Sequence, residues 1–192
     1  MKKSLLAFVL LVFLLSGCGP IIGQFMGSGE GLNSFEVVSG QPPQVKAGAS
    51  ILVFGPFAKT ADAFYLCRGE DAAKFSDEFI RHGLRSELYL AHGSAGRVTL
   101  VEAKKMSGEQ LRTALGLTTP PDYLLSGTLT LRKMTVAPAH GVVMEEAYEL
   151  EILDLRTQAS SHYRAAVKDL AQETIPDVAA ALVKKLGVAV KK

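Results

Sequence analysis

The sequence predicts an α/β (α+β) domain: a mixed sheet laid down as strand-helix-strand-helix, then a three-stranded antiparallel meander and a C-terminal helix. Three observations carry this expectation. Ile51-Leu52-Val53-Phe54 is a continuous apolar run ended by Gly55-Pro56, the pattern of a strand covered on both faces. Phe75, Phe79, Gly83, Leu84, Leu88 and Ala91 recur at three- and four-residue steps, which builds one apolar helix face. From Tyr123 the period changes to two and stays there through three stretches separated by turn residues.

Taken in order, residues 19–34 hold Gly23, Gly27, Gly29 and Gly31 without periodic pattern and read as a flexible tether. Gly27-Ser28-Gly29-Glu30-Gly31 lacks the Lys-Ser/Thr pair of a phosphate loop, and no strand precedes it. A short strand is expected at Phe35 to Val38, with Pro42-Pro43 breaking regular structure after it. The first helix starts near Glu70, where Glu70 and Asp71 complement the helix dipole, and runs to His92-Gly93. Val98 to Val101 reads as the next strand.

Ser107 and Gln110 have capping-box spacing for a second helix, with Leu111, Ala114 and Leu115 on its face and Gly116 as its left-handed end. Pro120-Pro121 forces an extended entry into a strand from Tyr123 to Met134. Strict alternation turns Tyr123, Leu125, Gly127, Leu129 and Leu131 one way, and Ser126, Thr128, Thr130 and Arg132 the other. A turn at Pro138 to Gly141 leads to Met144, Tyr148, Leu150 and Ile152, alternating with a solvated acidic stripe of Glu145, Glu149 and Glu151. Asp154 to Gln158 is a further turn, before Ser161, Tyr163, Ala165 and Val167 on the third strand. The last helix opens near Thr174, tolerates Pro176 in its first turn and carries Ile175, Val178, Leu182 and Leu186 as its apolar stripe. Lys184, Lys185, Lys191 and Lys192 gather toward its carboxyl end, where the dipole favours cations.

The first residues are an address. Lys2 and Lys3 precede an apolar run from Leu5 to Leu15, which is shorter than the roughly 20 apolar residues a membrane span requires. The segment Leu15-Ser16-Gly17-Cys18 resembles the lipobox of bacterial lipoprotein signal peptides. That resemblance implies cleavage between Gly17 and Cys18 and a diacylglyceryl thioether on Cys18. The expected organisation is a lipoprotein signal peptide at 1–17, a lipidated cysteine with its tether at 18–34, and a single α/β periplasmic domain at 35–192. One acyl chain anchors only marginally, at about 0.8 kcal/mol per buried methylene, whereas two or three hold effectively permanently. Gly19 stands where an Asp would signal inner-membrane retention in enteric bacteria. The expected location is therefore the outer membrane, facing the periplasm, in a Gram-negative cell, and the cell membrane otherwise.

Charge and cysteine usage narrow the function. Loss of Lys2 and Lys3 from the 21 basic residues leaves the mature chain balanced against its 19 acidic ones, with no basic cluster of the kind nucleic acid demands. With Cys18 lipidated, Cys67 has no intramolecular partner and reads as a buried thiol beside Phe64, Tyr65 and Leu66. His82, His92, His140 and His162 lack zinc-motif spacing, so neither a metal nor another cofactor is expected. No Gly-x-Ser-x-Gly elbow marks a hydrolase, and no catalytic residue is assigned. The most suggestive segment is 56–69, which leaves the carboxyl end of the buried strand, where open α/β sheets place ligand and partner sites. Lys59, Phe64, Tyr65 and Arg68 are the candidate partner-binding residues, since aromatics beside Arg are typical interface anchors.

The order of elements resembles a group of envelope proteins. The group comprises the amino-terminal domain of TolB, the curli secretion lipoprotein, and the lipoproteins that activate penicillin-binding proteins. The residues that carry the likeness are Ile51-Leu52-Val53-Phe54-Gly55-Pro56-Phe57, Asp122-Tyr123-Leu124-Leu125-Ser126-Gly127-Thr128-Leu129, and the turn Asp154-Leu155-Arg156-Thr157. The likeness covers roughly residues 50–187. The membrane-spanning hairpins of the curli protein are not recognisable, and the long linker of the synthase activators is missing, so neither activity is implied. What remains is an expectation of a non-catalytic, lipid-anchored protein that binds another envelope protein through an exposed sheet edge or the 56–69 loop. An accessory lipoprotein of envelope lipid transport is the second expectation, and a periplasmic hydrolase the third.

Overall fold

The computed structural model describes residues 31–63, 70–91, 98–137 and 141–188. In chain order the elements are β1 (Gly31–Ser39), β2 (Ser50–Gly55), β3 (Ala58–Lys59), α1 (Glu70–Arg81), β4 (Arg85–Leu90), α2 (Leu100–Ala103), α3 (Gly108–Leu115), β5 (Tyr123–Ala137), β6 (Gly141–Asp154), β7 (Ser160–Leu170) and α4 (Thr174–Lys185). One mixed sheet runs in the order β1-β7-β6-β5-β2-β4, with β3 beside β5. The strands β4, β2 and β5 are parallel, and β5, β6, β7 and β1 form an antiparallel meander.

Two-sided burial of the run at 51–54 follows from this order. Every residue of β2 is buried. Ile51 and Val53 pack with Leu125, Tyr148, Leu150 and Ile152 under Phe75 and Phe79 of α1 and Val178 and Leu182 of α4. Leu52 and Phe54 point to the other face, with Leu124 and Leu153 under Ala103 of α2 and Leu111 of α3. The sheet is thus the middle of three layers, although α2 and α3 are too short to cover their whole side.

The structure corrects four features of the sequence reading. The helix expected from Glu70 to His92 stops at Arg81, because Gly83 takes the left-handed conformation (φ 81°) and Arg85–Leu90 becomes a parallel strand against β2. Leu88 and Leu90 keep their packing against the core as strand residues, since both patterns place an apolar side chain every other or every fourth position. The strand expected at Val98 to Val101 is instead the start of α2. Thr99 accepts from the Glu102 amide while the Glu102 carboxylate accepts from the Thr99 amide, a capping box that commits the segment to a helix. The first strand begins at Gly31 rather than Phe35 and pairs with β7, adding a fourth strand to the meander.

The fourth correction concerns β5. A bulge between Leu129 and Leu131 shifts the alternation, so Arg132 turns into the core and not toward solvent. Several other expectations agree with the observed elements, while the residues of the expected turn at 138–140 and Lys191 and Lys192 lie outside the described residues. Ser107 and Gln110 form a reciprocal capping box, Gly116 closes α3 in the left-handed region (φ 69°), and Ile175, Val178, Leu182 and Leu186 are buried. Asp154 Oδ1 accepts from the amides of Arg156 and Thr157, which makes the turn between β6 and β7.

Candidate functional site

Among the described residues, α2 and α3 leave part of the sheet face above β5, β6 and β7 uncovered, and a groove of about 780 Å³ lies along it. Its apolar part comes from Phe54, Pro56 and Phe57 at the end of β2 and from Leu100 of α2. Its polar part is dictated by strand alternation, which places Ser126, Glu151 and His162 in one row across three strands. Thr128, Glu149 and Arg164 form the next row.

The charges in the groove are paired. Lys104 Nζ donates to Glu151 Oε2 at 2.5 Å and ties α2 to β6. Arg164 bridges Glu149 at 3.3 Å and Glu36 on β1 at 3.6 Å, both exposed pairs of small energetic weight. His162 Nε2 lies 3.4 Å from Ser160 Oγ. The carboxylate directly across from His162 is that of Glu151, which Lys104 engages. Two of the three members of the expected acidic stripe, Glu149 and Glu151, therefore line a groove with a basic partner each.

A strap of chain borders this region. β3 pairs in parallel with Thr128 and Leu129 of β5. The Thr60 amide donates to the Leu129 carbonyl at 3.0 Å, and Thr60 Oγ1 donates to the Thr130 carbonyl at 2.7 Å. Ala63 bridges to Arg132. The bulge in β5 is where this strap is fastened. Of the candidate partner-binding residues, Lys59 sits on β3 and is exposed. Phe64, Tyr65 and Arg68 lie outside the described residues, as do Cys18, Cys67, His92 and His140.

Under the strap is a buried polar cluster that alternation alone did not reveal. Arg132, 3% exposed, donates from Nη2 to Asp71 Oδ1 at 2.7 Å and from Nε to Glu146 Oε1 at 2.5 Å. Arg132 Nη2 also donates to Tyr148 Oη at 3.2 Å, and the Tyr148 hydroxyl donates to Glu146 Oε2 at 2.7 Å. Burial works against the guanidinium charge, but the hydrogen bond to Asp71 and the field of the neighbouring acids outweigh it, so Arg132 is held firmly cationic. Burial, reinforced by Glu146 and Asp71, pushes the Tyr148 hydroxyl well above its ordinary pKa and keeps it a neutral donor. Asp71 belongs to the first turn of α1, so the cluster pins that helix terminus to β5 and β6. The signal in the sequence is Glu146, an acid at the apolar phase of an otherwise alternating strand.

Beyond Arg132 the β5–β6 hairpin outruns the helices. Met134 pairs with Met144 and Val136 with Val142, all on one face. Met134, Val136 and Val142 are exposed by 54%, 69% and 37%. No helix among the described residues is long and apolar enough to cross a membrane.

No protein-family model matches the chain, and no curated protein does either. Solved structures do. A variant of the PelC dodecamer from Paraburkholderia phytofirmans matches at 12% identity with a TM-score of 0.52, covering 81% of this chain and 99% of that one. A second crystal form of the PelC dodecamer matches at 14% identity with a TM-score of 0.50, covering 81% and 98%. The lipoprotein GNA1162 from Neisseria meningitidis follows at 16% identity and a TM-score of 0.42, covering 73% and 99%. The chain shares the PelC fold.

Proposed function

We propose that the chain is a lipid-anchored cell-envelope protein that acts as a non-catalytic binding or assembly factor. The observation that carries this reading is the open groove over β5, β6 and β7, with its apolar end at Phe54, Phe57 and Leu100 and its rim of paired charges. An apolar patch rimmed by polar groups is the anatomy of a protein-binding surface. The leader at 1–17, followed by Cys18 and Gly19, supports an anchor in the outer membrane with the domain facing the periplasm. The fold shared with PelC, solved as a dodecamer, supports assembly from copies as one form of the role.

Crosslinking in intact envelopes followed by capture of the chain tests this. Leu100→Arg, which places a charge at the apolar end of the groove, is expected to reduce recovery of the crosslinked partner while leaving the melting temperature near that of the parent. Equal recovery from parent and variant would remove the groove from the account.

A second reading is an accessory lipoprotein of envelope lipid transport. It is favoured by the apolar end of the groove, which lies between the sheet and α2. Lipid co-purifying with Cys18→Ala protein directed to the periplasm, and lost in Leu100→Arg, is the result this reading expects. Delipidated protein without bound lipid would end it. The Ser160–His162 contact favours a hydrolase less, because the acid across from His162 is engaged by Lys104.

A further inference from the structure

We propose that the end of the β5–β6 hairpin is a second membrane contact, in which Met134, Val136, Val142 and Met144 dock in the interface of the bilayer that holds the chain's own lipid anchor. This rests on reading Cys18 as that anchor.

Three observations converge. The first is an apolar face that no other element among the described residues covers. Met134 and Met144, then Val136 and Val142, are cross-strand pairs on one face, while the exposed residues of the other face are Lys133, Thr135 and Glu145, beside the buried Val143. One-sided apolarity of this kind is what an interfacial segment presents to lipid.

The second is where the anchor's connection enters the domain. Gly31 pairs with Lys168, Lys168 with Glu145, and Glu145 with Lys133. The chain arriving from Cys18 therefore joins the sheet in the same row as the base of the apolar hairpin. The hairpin continues past that row from Lys133 to Ala137, about 13 Å at the usual rise per residue. Residues 19–30 reach at most roughly 40 Å from the anchor, however they run. The apolar end of the hairpin thus lies at the same end of the sheet as Gly31, within the span that residues 19–30 can cover.

The third is size. Four such side chains offer roughly 300 Å², well under the roughly 600 Å² per partner of even a small stable protein interface. A patch too small to hold a second copy by itself is sufficient to orient a body that acyl chains already hold, because the anchor supplies the affinity.

The chain contains no tryptophan, so Val136→Trp introduces a single indole. The native, acylated protein is reconstituted in phosphatidylethanolamine–phosphatidylglycerol vesicles with or without brominated acyl chains. The expected result is a blue-shifted indole that loses emission to the bromolipid, in Val136→Trp and equally in Met134→Trp. Arg156→Trp, at the exposed turn at the opposite end of β6, is expected to keep its emission. Water-exposed emission at 134 and 136, or a blue shift without bromolipid quenching, would overturn the proposal, the latter in favour of a protein contact. Flotation of the same samples reports on the anchor separately. Floating protein without quenching sinks the hairpin and keeps the anchor, whereas quenching without acylation sinks the anchor and keeps the hairpin.

Discussion

Arg132 of β5 and Asp71 of α1 meet in the interior, Nη2 to Oδ1 at 2.7 Å, across 61 residues of sequence. Together with Glu146 and Tyr148 they place one cation against two carboxylates in a region closed to water. Removing the cation leaves both acids without it. Arg132→Met is expected to cost about 3–5 kcal/mol, read from the urea midpoint, because a buried pair loses its partner and not its desolvation. In a double-mutant cycle with Asp71→Ala, a coupling of about 1–3 kcal/mol is expected; strictly additive losses would show that the two do not act together.

Gly127 holds a close approach. A Cβ there would stand 2.8 Å from the ring of Phe57 and 3.0 Å from Leu150 Cδ2. Phe57 lines the groove and stacks at 5.5 Å on Phe75 of α1. Gly127→Val is expected to displace the Phe57 ring and to destabilise the fold by about 1–3 kcal/mol. Parent-like stability in thermal unfolding would contradict it.

Glu87 of β4 gives a pH dependence with a definite sign. Burial raises its pKa, but the amides of Thr118 and Thr119 donate to its carboxylate oxygens, and the net effect is a lowered value. A carboxylate depressed in the folded state stabilises above its unfolded pKa, and that stabilisation is lost as pH falls through the folded one. Glu87→Gln is therefore expected to lose about 1 kcal/mol at pH 7, with parent and variant converging in acid below the carboxylate range. Denaturation at a series of pH values checks it; a gap that widened in acid would contradict the assignment.

The capping boxes of α2 and α3 predict that Thr99→Ala and Ser107→Ala each cost about 1 kcal/mol. Because α2 carries Leu100 and Lys104 into the groove, Thr99→Ala is also expected to weaken crosslinking there, whereas Ser107→Ala is not. Equal effects on crosslinking would count against α2 as a wall of the site.

How far the sequence could be read depended on how local each signal was. Period-two alternation in β6 and β7 and the apolar stripe of α4 repeat within a few residues, so they survive any context. The segment from Arg85 to Leu90 failed because Leu84 and Leu88 suit a helix continued from Phe79 as well as a new strand. Only the left-handed Gly83 and pairing with β2 decide between them. Thr99 and Glu102 carried a legible capping signal that the β-branched run around them masked. The bulge after Leu129 is fixed by the strap through Thr60, a partner 70 residues away, and no pattern within β5 encodes it. The groove is a consequence of helices too short to cover the sheet, so its residues share no motif. Lys59 was visible as a loop cation, while strand register brought His162 and Arg164 to the groove and the seating of α2 against β6 brought Lys104.

The role proposed for the groove and for the hairpin begins with the covalent state of Cys18. Intact-mass analysis of the protein extracted from its native membranes decides that state in one spectrum. The expected species is a chain that starts at Cys18 and carries acyl mass on it; a chain with residues 1–17 still attached and a free thiol at position 18 would overturn both roles.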